Sequence, residues 1–85
     1  MQSTIDENVA KILEEINNNP SFKKLICFNT RQASIAIGVS SSTLIVWRHE
    51  GLGPEYIKIE RGKKGRILYP KIAIAQWLSR TIKTM

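Results

Sequence analysis

The segment "RGKKG" at 61–65, followed directly by Arg66, sets Arg61, Lys63, Lys64 and Arg66 within six residues, with Gly62 and Gly65 between them. Ammonium and guanidinium groups at that density suit phosphate oxygens, a contact that releases counterions and carries little sequence information. A second stretch, "SSSTLIVWRHE" at 40–50, combines hydroxyls, two β-branched apolar side chains, a guanidinium and an imidazole. At about 100° per residue, Leu44 and Trp47 share one side of a helix. The opposite arc then collects Ser42, Ile45, Val46 and His49, with Ser41 and Arg48 on one flank and Thr43 on the other. Hydroxyls and Arg48 can bond to base edges or phosphates, and Ile45 and Val46 can pack on thymine C5-methyl groups. Arg31 adds a candidate phosphate contact from the neighbouring segment. Plainer readings stand beside these: a charged turn, solvated arginines, a surface histidine, and an apolar pair covered by the N-terminal helix or by a second subunit.

Other chemistries find little support. Ser, His and acidic residues are present, but His49 and Glu50 are adjacent on one helix and face different ways, with no nucleophile motif and no phosphate-binding glycine loop. An 85-residue chain leaves little room for a deep catalytic cleft, so no enzyme and no cofactor are expected. One histidine and one cysteine, Cys27, give neither a metal site nor an intramolecular disulfide. No apolar run reaches the roughly 18 residues that cross a bilayer, and "MQSTIDENVAK" lacks the basic and apolar regions of a signal peptide. The expectation is a cytoplasmic protein without a membrane partner.

The charge is uneven. Residues 1–28 hold three lysines against four carboxylates, whereas residues 29–85 hold ten lysines and arginines against three glutamates. Such a distribution points to a polyanionic partner, nucleic acid or an anionic membrane face, with a merely basic surface as the plain alternative. With 42% hydrophobic and 24% charged residues, the composition is that of a folded domain.

Several elements must position these groups. Ile5, Val9, Ile12, Leu13 and Ile16 recur at three- and four-residue steps, and Thr4 with Glu7 has the spacing of a capping box, predicting an amphipathic helix that "NNNPS" ends. Its polar face is acidic, which argues against membrane binding. "FKKLICFN" fits a helical turn or an extended connector equally. Thr30 can cap "RQASIAIG", in which Ala33 and Ala36 permit close helix approach, and Gly38 stops it. Ser40 then caps a helix running to about Glu50. Two short helices across a tight turn form a helix-turn-helix outline. Beyond Pro54, "YIKIE" and "RILY" alternate as strands around the basic glycine turn, making a hairpin over 57–69. Pro70 suits the first position of a last helix carrying Ile74, Trp77, Leu78 and Ile82 on one stripe, with Trp77 and Tyr69 as core aromatics.

The order "FNTRQASIAIGVSSSTLIVWRHEGLGPEYIKIERGKKGRILYPKIAIAQWL", residues 28–78 and about 60% of the chain, resembles the small winged helix-turn-helix domains of phage and plasmid excisionases and related regulators. That superfamily includes MerR-type DNA-binding domains. The resemblance rests on the Thr30 start, Ala33, "IGVS" at 37–40, "STL" with Trp47 and Arg48, Gly51, Pro54, the two strands and "AQWL". Ile45 and Val46 depart from it, since a charged or polar residue often follows the Leu44 position, and the N-terminal helix lies outside the family core. It implies a mostly α fold with a small β-hairpin, a winged helix-turn-helix over 22–85, which the extra amphipathic helix and turn read over 1–21 from their periodicity would precede. It further implies double-stranded DNA as partner, in transcription control or as a directionality factor in recombination, and a nucleoid-associated location. Helix 41–50 would enter the major groove, and the hairpin would lie on the backbone or in the minor groove. The N-terminal stripe is expected to pack on its own domain, to pair two protomers, or to bind another protein. A protein-interaction adaptor with Ile45 and Val46 in its interface is the competing reading. An RNA-binding module ranks behind both, because the hairpin offers no obvious aromatic platform.

Overall fold

The computed structural model describes residues 7–61 and 64–81. Thr4, Ile5, Lys63 and Ile82 therefore lie outside the described residues, as do the side chains of Arg61 and Lys64. The chain is mostly helical, with a small three-stranded antiparallel sheet. In chain order the elements are α1 (Glu7–Asn17), α2 (Pro20–Lys23), β1 (Cys27–Phe28), α3 (Thr30–Ile37), α4 (Ser41–His49), β2 (Ile57–Arg61), β3 (Lys64–Pro70) and α5 (Lys71–Thr81).

The apolar stripe of α1 is used within the chain. The helix packs mainly against α5, Val9 and Ile16 are buried, and Ile12 lies against the core. Of the three fates expected for this stripe, packing on its own domain is the one observed. Lys71 Nζ donates to Asn17 Oδ1 at 2.6 Å and to the Lys23 carbonyl at 3.3 Å, fastening α1, α2 and α5 together.

The ambiguous "FKKLICFN" divides between two elements. Asn19 caps α2 by accepting from Ser21 N–H at 2.8 Å, with Pro20 in the first turn where its missing N–H is harmless. Cys27 and Phe28 then pair with Pro70 and Tyr69, so the expected two-stranded hairpin gains a third strand in the order β1-β3-β2. Pro70 ends β3 rather than opening α5, and Lys71 N–H, the next available donor, bonds to the Ile26 carbonyl at 2.8 Å.

The core joins every layer: Ile16 from α1, Phe22 from α2, Phe28 from β1, Ala33 from α3, Leu44 from α4, Tyr69 from β3 and Ile74 from α5. Phe22 and Phe28 meet with ring centroids 4.8 Å apart. Trp47 and Trp77 approach at 5.4 Å, bringing α4 to α5. Within the hairpin, Lys58 pairs with Ile67 and Ile57 with Leu68. Directly opposed residues share a face, so Ile57, Ile59 and Leu68 lie on the face away from Tyr69.

Candidate nucleic-acid interface

Two capped helices and a three-residue turn set the presentation of α4. Asn29 Oδ1 accepts from Gln32 N–H at 2.7 Å, and Gln32 Oε1 accepts from Asn29 N–H at 2.9 Å, a reciprocal capping box. The cap is thus Asn29, not Thr30. Both side chains can cap, but three residues after Asn29 comes Gln32, which completes the box, while Thr30 would find Ala33. At the other end Gly38 adopts φ 98°, a left-handed conformation that closes α3, and its N–H donates to the Ser34 carbonyl at 2.8 Å. Ser40 caps α4 as expected, its Oγ accepting from Thr43 N–H at 3.1 Å.

Several hydroxyls are already engaged in holding this turn. Ser34 donates its one hydroxyl proton to the Arg31 carbonyl at 2.7 Å, so its contact with Ser41 Oγ at 3.3 Å requires Ser41 as donor. Thr43 Oγ1 lies 2.9 Å from Ser40 Oγ. Ser41 and Thr43, expected at a DNA surface, therefore also fasten α3 to α4 and close the first turn of α4.

The inward and outward sides of α4 separate as the helical projection requires. Leu44 is fully buried and Trp47 packs against the core. Gly53, at φ 87°, makes that packing feasible, because a Cβ there would stand 3.3 Å from Trp47 Cε3. On the outward side Ser42 and His49 are exposed, and Ile45 and Val46 remain 39% and 50% exposed. The N-terminal helix does not cover them.

Arg48 departs from the simple outward projection. Its Nη1 donates to Tyr69 Oη at 3.1 Å, and its guanidinium carbon lies 5.7 Å from the Tyr56 ring centroid. The two tyrosine rings are 5.8 Å apart. A half-buried cation thereby satisfies the hydroxyl of a tyrosine that is only 1% exposed, and the end of α4 is tied to the base of the hairpin. No local signal in the sequence marks this link, since its partners are 21 residues apart.

Arg31 and Arg66 are exposed. Lys58 forms an exposed ion pair with Glu60 at 3.3 Å, a contact of little energetic weight. Among the described residues no group of three His, Cys, Asp or Glu could hold a metal ion, and no helix is long and apolar enough to cross a membrane. A shallow depression between α1, α2 and α3, lined by Glu15, Ile16, Asn19, Phe22, Ile35 and Ala36, contains none of the candidate interface residues. No family model, curated protein or solved structure matches the chain.

Proposed function

We propose that the chain is a sequence-specific double-stranded DNA-binding protein of winged helix-turn-helix type, a small transcriptional regulator or an excisionase-like directionality factor, without catalysis. In this reading α4 enters the major groove, and the hairpin with Arg61, Lys63, Lys64 and Arg66 lies on the backbone or in the minor groove. Nucleoid association follows from the same reading. The observation that carries it is the exposed Ser42, Ile45, Val46 and His49 side of a helix that Ser40 caps and that Leu44 and Trp47 anchor to the core, in a chain whose residues 29–85 carry ten cations against three carboxylates. Opposite charge supplies affinity, and the helix surface supplies discrimination.

The same exposed apolar pair supports a protein-interaction adaptor as the second reading. One experiment separates them: selection of bound sequences from a random duplex pool at about 0.15 M salt, with wild type, Ile45→Ala/Val46→Ala and Lys63→Ala/Lys64→Ala compared. Enrichment of a motif by wild type, blurring of that motif by the helix variant and uniform weakening by the hairpin variant are expected. Absence of any enriched motif would reject DNA readout and favour the adaptor.

A further inference from the structure

Specific readout of purines in the major groove relies on side chains with paired donors or a donor and an acceptor: Arg or Lys on guanine, Asn or Gln on adenine. Helix α4, "SSTLIVWRH", contains no Asn, Gln or Lys. Its one guanidinium, Arg48, is held by the Tyr69 hydroxyl and lies over the Tyr56 ring. Two of its hydroxyls, Ser41 and Thr43, bond to Ser34 and Ser40. Of the other outward residues, Ser42 and His49 are exposed toward the two ends of the helix, and neither carries the paired groups of a bidentate purine contact. The middle of the helix presents the apolar pair Ile45 and Val46, 39% and 50% exposed.

The one apolar feature that a base edge presents in the major groove is the C5-methyl group of a pyrimidine. We propose that α4 selects its site by C5-methyl groups, packing Ile45 and Val46 on neighbouring methylated pyrimidines, with bidentate hydrogen bonding to purines playing no part in the selection. This rests on the DNA-binding reading above and specifies the ligand chemistry of the same surface. Thymine and 5-methylcytosine both carry the group. Arg48 acts in this scheme as a positioning residue, fixing the end of α4 against the hairpin.

The test uses the full chain and the duplex it selects from the random pool, with affinities measured by fluorescence anisotropy. Replacing single thymines by deoxyuridine removes one methyl group and leaves every hydrogen-bonding atom in place. At the positions under α4, each replacement is expected to weaken wild-type binding about fourfold, the effect of one buried methyl group. Ile45→Ala/Val46→Ala, checked for folding by circular dichroism, is expected to bind the thymine and uracil duplexes equally. In a further arm, T·A is replaced by C·G or by 5-methylcytosine·G. Recovery with 5-methylcytosine identifies either methylated base as a ligand, and recovery with thymine alone identifies thymine as the source. Equal wild-type affinity for thymine and uracil duplexes, with a motif still selected, would overturn the methyl proposal and leave DNA binding standing. Failure to select any motif would overturn both.

Discussion

Helices α1 and α4 each carry apolar residues at helical spacing, and the fold treats them differently. In α1, Val9 and Ile16 are buried and Ile12 lies against the core, with α5 as the main neighbour. In α4, Leu44 and Trp47 turn inward in the same way, but Ile45 and Val46 remain exposed on the other side. A stripe on one side of a helix finds its cover inside the domain. Apolar residues on both sides cannot all do so when the helix is a surface layer. Ile45 and Val46 keep 39% and 50% of their surface exposed, so covering the remainder of each is worth on the order of 1 kcal/mol, and that free energy is open to a partner.

The sharpest way to break the contrast is to remove one inward and one outward side chain and compare stabilities. Ile16→Ala and Leu44→Ala each empty a buried site and are expected to lower unfolding stability by about 2–5 kcal/mol in urea titrations. Ile45→Ala, on the residue next to Leu44, should stay within about 0.5 kcal/mol of wild type. An Ile45→Ala loss as large as that of Leu44→Ala would mean that the outward side of α4 is covered in solution, and the contrast would vanish.

Local signals made most of this legible and long-range ones did not. Gly38 and Ser40 mark the turn between α3 and α4 in the sequence itself, because a left-handed stop and a hydroxyl cap each act within a few residues. The alternation around the glycine turn likewise marks β2 and β3. The short strand Cys27–Phe28 carries no such mark: it is a strand only because Tyr69 and Pro70 lie opposite it. That same pairing draws Pro70 out of the helix start it otherwise suits. Arg48 shows the limit at the candidate site, where the helical projection gives its side of α4, but its engagement depends on where Tyr56 and Tyr69 fold.

The link between α4 and the hairpin can be weakened by one atom. Tyr69→Phe keeps the buried ring and deletes the hydroxyl that Arg48 reaches. A loss of about 1–1.5 kcal/mol in unfolding stability is expected, the net worth of a single hydrogen bond with partial solvent access. Removing the α3 cap by Asn29→Ala should cost about 1 kcal/mol, with helix content by circular dichroism confirming that α3 still forms in the folded state.

The smallest expected change in stability belongs to the outward residues, and there the two regions should diverge most in function. Ile45→Ala/Val46→Ala removes side chains that the chain covers only in part, and the higher helix propensity of Ala offsets lost burial, so the double variant should unfold within about 0.5 kcal/mol of wild type. Its discrimination between selected and scrambled duplexes should nevertheless collapse, because the cations that give general affinity are untouched. Lys63→Ala/Lys64→Ala should do the reverse: the motif is retained, while the slope of log affinity against log salt becomes shallower by about 2 if each lysine neutralises one phosphate. Anisotropy titrations at several salt concentrations measure both effects on the same duplexes. A hairpin variant that loses the motif, or a helix variant that changes only the salt slope, would exchange the assigned roles of the two elements.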